Sequence, residues 1–179
     1  MQLELLSGHL QPGSKALDVG SGSGYISACM ARMVQPGGVV VGIEHISELT
    51  KMSEENIKRD DAALLKETIR FICGDGRLGV PDYAPYDAIH VGAAAPELPQ
   101  ALVDQLSPGG RMVCPVGPKG EMQSLVLVDK DANGQVSKRD IQKVIFVPLT
   151  DIAVQVAKGN STKFNPLKLA LERADSCKR

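Results

Sequence analysis

Short apolar runs rich in β-branched residues recur along the chain, and stretches of helix length separate them. Ala16–Val19 reads as a buried strand that ends at a glycine-rich turn, and Tyr25–Val34 reads as a helix with Ile26, Met30 and Met33 on one side. Val39–Ile43 follows as a second strand behind the turn Pro36-Gly37-Gly38, then a helix over Ser47–Arg59 with Ser47 at its N-cap. Ile69–Cys73, Tyr86–Val91 and Gly110–Val116 supply three more strands, with a helix over Leu98–Leu106 before the last. Strands alternating with helices predict a mostly parallel sheet covered on both faces, an α/β architecture. The pattern changes after residue 123. Ser124–Val128 and Val144–Val147 flank Asn133-Gly134, a hairpin signal, so an antiparallel edge is expected on the parallel sheet. Beyond Asp151 the pattern weakens to a loop over Gly159–Phe164 and a short helix over Leu167–Arg173.

Composition narrows the function classes. At 179 residues and 43% hydrophobic, the chain can bury one sizeable core. Lys plus Arg is 20 and Asp plus Glu is 21, which leaves no basic footprint for nucleic acid, and aromatics at 3% offer no stacking platform. The cysteines Cys29, Cys73, Cys114 and Cys177 form no C-x-x-C pair and have no histidine cluster beside them, so no metal site is expected. Scattered thiols read as reduced and cytosolic, and as small core hydrophobes rather than nucleophiles. No apolar run reaches the roughly 18 residues that a membrane span needs. A cytoplasmic monomer is the expectation.

The chemistry concentrates at three successive strand ends. Asp18-Val19-Gly20-Ser21-Gly22-Ser23-Gly24 links the first strand to a helix. Glycines there let a ligand approach the backbone, and the helix start offers free N–H groups to a carboxylate. Glu44 ends the second strand, where a carboxylate can accept hydrogen bonds from both hydroxyls of a ribose. Asp75 in Gly74-Asp75-Gly76 follows the third strand, where it can accept from an adenine amino group. His45 stands where it can flank the adenine, whereas His90, inside a strand pattern, reads as a structural histidine. The dinucleotide fingerprint G-x-G-x-x-G fails here because Tyr25 occupies the third glycine position. Asp18 would repel a pyrophosphate but suits the cationic amino group of a methionine moiety. These residues favour S-adenosylmethionine over a nicotinamide cofactor.

Ala16–Gly24 resembles the first motif of the protein-L-isoaspartate O-methyltransferases. So do Gly74-Asp75-Gly76-Arg77, the stretch from Pro85 to Pro96 (Pro-Tyr-Asp-Ala-Ile-His-Val-Gly-Ala-Ala-Ala-Pro), Pro108-Gly109-Gly110-Arg111 and Val147-Pro148-Leu149-Thr150. The resemblance runs over about residues 2–155. It implies a Rossmann-like, seven-stranded S-adenosylmethionine-dependent methyltransferase fold, organised as a methyltransferase domain over residues 1–156 and a tail over 157–179. It implies methylation of isoaspartyl and D-aspartyl carboxyls in damaged proteins, which initiates their repair, with isoaspartyl proteins and peptides as partners. It also implies cofactor roles for Gly20, Ser21, Gly22, Ser23, Gly24, Glu44, Asp75 and Gly76, with Thr150 and Gln155 near the cofactor or its lid. The family's active-site serine belongs to a Ser-Ala-Pro-His-type loop that precedes the helix in which Met1 falls. No catalytic residue is therefore assigned within the chain, and Ser7 and Ser14 are not candidates. On this resemblance the chain is expected to lack the family's N-terminal segment, and a catalytically impaired cofactor-binding or protein-interaction remnant is the alternative reading.

Overall fold

The computed structural model describes residues 1–149. Its elements run α1 (Gln2–Leu6), β1 (Lys15–Val19), α2 (Tyr25–Val34), β2 (Val39–Glu44), α3 (Ser47–Glu67), β3 (Ile69–Cys73), β4 (Tyr86–Val91), α4 (Gln100–Asp104), β5 (Leu106–Val116), β6 (Gln123–Lys130) and β7 (Val136–Val144). The strands form one seven-stranded sheet in the order β3-β2-β1-β4-β5-β6-β7. The pairings among β1 to β5 are parallel, and β6 and β7 add an antiparallel edge. The expected α/β fold with an antiparallel hairpin edge is the fold observed. After β3 the chain crosses to the far side of β1 to lay down β4, so the order reverses between β1 and β4. In sheets of this kind ligands bind outside the carboxyl ends of the strands at that reversal.

Alternation along each strand sorts the core into two layers. Leu17, Val19, Val41, Ile43, Ile89, Val91 and Met112 pack with Val80, Tyr86, Leu102 and Val103. Ala16, Val40, Ala88, Val113, Leu125 and Leu127 face the other way, against Leu6, Ala28, Met30, Ala31, Val34, Ile57 and Leu64 from α1, α2 and α3. Burying one aliphatic side chain is worth about 1.5–3 kcal/mol, so these two layers dominate the stability. Asp18, Gly42 and His90 fall at the same parity as the second layer. Their side of the sheet carries α2, and that decides what Asp18 and His90 can touch.

Several local expectations are corrected. Val144–Val147 is not the return strand. Instead β7 begins two residues after Gly134, with Lys130 paired to Val136 and Gln123 to Val144. The turn closes tightly because the Asp131 carboxylate accepts the Asn133 and Gln135 amides at 2.8 and 2.9 Å, and Gly134 takes φ 83°. An outermost strand needs no apolar face, so the polar, exposed run of β7 carries no hydrophobic signal. Ser47 is not an N-cap but the first helical residue, and its hydroxyl donates to Glu48 at 3.0 Å. Ile46, extended at φ −98° and ψ 114°, occupies the cap position, and its carbonyl receives the Leu49 and Thr50 amides. The helix continues past Arg59 to Glu67 with a break at Asp61 (φ −155°, ψ 92°), whose carboxylate caps the Ala63 amide at 3.2 Å. The helix expected over Leu98–Leu106 is confined to Gln100–Asp104, because Leu106 pairs with Tyr86 and opens β5. The loop and helix expected over Gly159–Phe164 and Leu167–Arg173 lie outside the described residues.

Candidate functional site

The loop after β1 is held in shape by its own backbone and by β2. Gly20, Gly22 and Gly24 take φ of 77°, 55° and 82°, a left-handed region that side chains rarely enter. The Gly20 and Ser21 amides both donate to the Ile43 carbonyl, at 2.8 and 3.2 Å, and the Gly24 amide donates to Ser21 at 2.8 Å. The three glycines serve different purposes. A Cβ on Gly20 would meet nothing within 4 Å, and on Gly22 only the Gly20 carbonyl at 3.8 Å, so the loop is open above these positions. A Cβ on Gly24 would lie 2.9 Å from the Ser53 Cβ and 3.2 Å from Phe71, so Gly24 lets α2 seat against α3 and β3.

Glu44 ends β2 and is buried, with Oε2 accepting the Gly22 amide at 3.2 Å and Oε1 accepting the Ile46 amide at 3.1 Å. Each carboxylate oxygen retains a lone pair for a further donor. The loop and the carboxylate expected to meet a ribose are thus joined directly. Asp75 follows β3 and forms a fork with Arg77, whose Nε and Nη2 donate at 3.0 and 2.6 Å, while the Arg77 amide donates to Oδ1 at 2.9 Å. This guanidinium contact, against a smaller opposing effect of burial, holds the Asp75 carboxyl below its usual value of 3.8. Gly76 packs so closely behind it that a Cβ would lie 2.6 Å from Val19 Cγ1 and 3.6 Å from Leu149 Cδ1.

Asp18 requires a correction. Its side chain is fully buried, not presented to the cleft. Oδ2 accepts the Ser27 hydroxyl at 2.6 Å, and Oδ1 lies 2.8 Å from His90 Nδ1. In this arrangement it does not face an ammonium group in the cleft. The inversion follows from strand parity, which sends the side chain of residue 18 down under α2 while the loop that follows turns upward. His90 is structural as expected, buried between Asp18 and Gln2.

Two buried polar atoms, Ser21 Oγ in the loop and His45 Nε2 just after β2, have no hydrogen-bond partner among the described residues. An unpaired buried polar atom costs about 1–3 kcal/mol, and a bound polar molecule would relieve it. The Ser23 carbonyl accepts Asn56 Nδ2 at 3.0 Å, which ties the loop to α3. Asn56 was not foreseen, nor were Ser27 and Gly92, whose amide donates to the Val19 carbonyl at 2.8 Å. The one available signal was a small polar residue on the buried side of α2 at Ser27. Thr150 and Gln155 lie outside the described residues. Among the described residues no three His, Cys, Asp or Glu side chains come together as metal ligands.

Three strand ends, β1, β2 and β3, therefore bring an open glycine loop, a buried carboxylate and an Asp-Gly turn side by side at the carboxyl edge of the sheet. Comparison with known proteins gives this arrangement its family. The model of the family described as protein-L-isoaspartate(D-aspartate) O-methyltransferase matches residues 1–154. A protein-L-isoaspartate O-methyltransferase of Triticum aestivum is 57% identical over 156 residues, covering 86% of this chain and 67% of that protein. The Caenorhabditis elegans protein of the same name is 49% identical over 149 residues, covering 83% of this chain and 66% of its own length. A crystal structure of a Plasmodium falciparum protein described as a putative member of the family, in complex with S-adenosyl-L-homocysteine, superimposes with a TM-score of 0.76 at 37% identity, covering 83% of this chain and 71% of that one. The chain spans about two thirds of the wheat and nematode proteins it matches. With its sheet order, its strand-end loop and these relatives, the chain belongs to the protein-L-isoaspartate(D-aspartate) O-methyltransferase family.

Proposed function

We propose that this protein transfers a methyl group from S-adenosyl-L-methionine to the free carboxyl group of L-isoaspartyl and D-aspartyl residues in damaged proteins, the first step of their repair. The observation that carries the reading is the union of loop and carboxylate, the Gly22 amide on Glu44, at the reversal of strand order. The residues present fit the cofactor. Glu44 has lone pairs for the ribose hydroxyls. His45 and Gly76 flank the position for adenine, and the Asp75–Arg77 fork borders it. The open side of Gly20–Gly24 receives the methionine end, with the orphaned Ser21 hydroxyl as a donor beside it. Asp18 supports this loop from beneath. Thr150 and Gln155 complete the site by resemblance.

When bound, the cofactor supplies a methyl group already activated on a sulfonium. The acceptor carboxylate is ionised near neutral pH, so no strong general base is required. The chain's own task is alignment, because near-attack geometry can contribute about 7–11 kcal/mol. The named relatives are methyltransferases, and they favour catalysis over a binding remnant. The domain extends over residues 1–156. Among the described residues no helix is long and apolar enough to cross a membrane. The near-neutral charge and scattered thiols are the basis on which we read the protein as a cytoplasmic monomer acting on proteins and peptides. Cys114 is buried, and burial pushes its thiol up to about 12, so it does not act as a nucleophile.

The test is transfer of radiolabelled methyl from S-adenosylmethionine to an isoaspartyl peptide, with the aspartyl isomer as control. Base-labile label on the isoaspartyl peptide alone is expected. Equal label on both peptides, or stable label on nitrogen, would overturn the assignment.

A further inference from the structure

The face of the sheet beneath the glycine loop carries an unbroken polar chain in an otherwise apolar layer. Asp18 and His90 are register partners on the adjacent strands β1 and β4, so their side chains leave the sheet on the same side. Ser27, three residues into α2, reaches Asp18 Oδ2 at 2.6 Å, while His90 Nδ1 lies 2.8 Å from Asp18 Oδ1 and His90 Nε2 lies 3.0 Å from Gln2 Oε1. Exposure is 0% for Asp18 and Ser27 and 3% for His90, so all three are sealed from solvent. The Asp18–Ser27 contact clasps the strand that enters the loop to the helix that leaves it, and the loop lies between them. His90 occupies the other carboxylate oxygen and thereby fixes the rotation of Asp18. Two residues on, the Gly92 amide donates to the Val19 carbonyl at 2.8 Å, so the residue after β4 holds the last residue of β1, where the loop begins, from a second direction.

We propose that His90 is a positioning residue for methyl transfer: through Asp18 and Ser27 it sets the conformation of the Gly20–Gly24 loop, and through Gln2 it couples helix α1 to that loop. The inference rests on the reading of the loop as the cofactor cradle. Both ring nitrogens of His90 face polar groups. The Asp18 oxygen accepts from Nδ1–H. The Gln2 amide meets Nε2 with its oxygen as placed, or with its nitrogen if turned over, and Gln2 Nε2 has no partner among the described residues in the present orientation. A hydrophobic side chain at position 90 would leave a buried carboxylate oxygen with no donor. Buried charges do not tolerate that, and the carboxylate would turn or admit water, releasing the loop.

The decisive comparison is His90→Leu, which fills the space without a donor, against His90→Asn, whose amide nitrogen can replace Nδ1. Calorimetry with S-adenosylhomocysteine should show Kd raised about tenfold or more in His90→Leu and recovered to within about threefold of the unsubstituted protein in His90→Asn. Hydrogen exchange at the amides of Gly20–Gly24, measured without any cofactor, should be faster in His90→Leu and restored in His90→Asn. Ser27→Ala, which removes only the hydroxyl on the other oxygen, should speed exchange at the same amides and serves if His90→Leu does not fold. A role in packing alone predicts that Leu is tolerated at least as well as Asn, and that ordering would overturn the proposal. So would unchanged loop exchange in His90→Leu, or in Ser27→Ala where that variant stands in. If the unsubstituted protein fails to bind S-adenosylhomocysteine, the cofactor reading fails by itself, and the exchange comparison still decides the role of His90.

Discussion

Replacing Glu44 by alanine should damage the site twice, once in the free protein and once in the complex. In the free protein the carboxylate accepts two backbone amides, half-buried Gly22 at 3.2 Å and buried Ile46 at 3.1 Å. Hydrogen bonds to a charged group contribute about 1.5–3 kcal/mol each, and these two are long, which places them at the lower end. Removing a buried charge returns part of its desolvation cost, and water can enter the vacated space. The net loss expected is about 2–3 kcal/mol, a fall in Tm of about 5–10 °C for a chain of this size. Binding should then suffer separately. Two ribose hydroxyls that no longer meet a carboxylate forfeit about 3 kcal/mol, roughly a hundredfold in Kd. Glu44→Gln keeps the shape but turns an amide NH2 toward one of the two donors, and should fall between. Ser23→Ala is the control, because the Ser23 carbonyl that accepts Asn56 is untouched. Differential scanning calorimetry and titration with S-adenosylhomocysteine report the two effects. A Tm within about 2 °C of the parent, together with a Kd for Glu44→Ala equal to that of Ser23→Ala, would refute the assignment of Glu44 both to the loop and to the ribose.

Other outcomes follow from specific contacts. Gly24→Ala should cost more than Gly22→Ala, by about 1–2 kcal/mol in urea denaturation, since both pay for positive φ but only the former drives a Cβ to 2.9 Å from Ser53. Burial pushes the His9 imidazole below its usual 6.5, with Arg111 adding to the effect and Asp129 and Asp87 opposing it. The unfolded chain then takes up a proton that the folded chain resists, so stability is full above 6.5 and falls as pH drops through and below that value. His9→Gln should flatten the difference in urea midpoint between about pH 7.5 and about pH 5.5, and an unchanged difference would exclude His9. Asn133 sits at an exposed hairpin tip, where attack of the Gly134 nitrogen on its side-chain carbonyl would expel ammonia and yield isoaspartate after ring opening. That nitrogen is engaged with the Asp131 carbonyl at 3.0 Å, and the Asp131 carboxylate holds the Asn133 and Gln135 amides. Asp131→Ala should therefore accumulate isoaspartate at residue 133 faster than the parent on ageing, as read by peptide mapping; equal rates would show that the turn gives no protection.

Periodicity and punctuation were enough to find most of the fold. Runs such as Val39–Ile43 are buried on both faces, so they are almost continuously apolar, and a glycine-rich turn between strand and helix is legible wherever it occurs. The acidic residues at the ends of β2 and β3 were legible for the same reason, because a strand end announces its position. Two kinds of feature were not. The boundaries of β7 escaped because an edge strand is specified by its turn and its partner, Lys130 against Val136, and not by its own hydrophobicity. The role of Asp18 escaped because sequence places it at the loop but not on a face. Only the register that sets residue 18 beside residue 90, and the helix that brings Ser27 down onto it, turned a carboxylate expected in the crevice into one sealed beneath it. Local pattern decides which elements exist, while the pairing of distant strands decides which side chains meet, since contacts between residues 72 apart are encoded in no window of the chain.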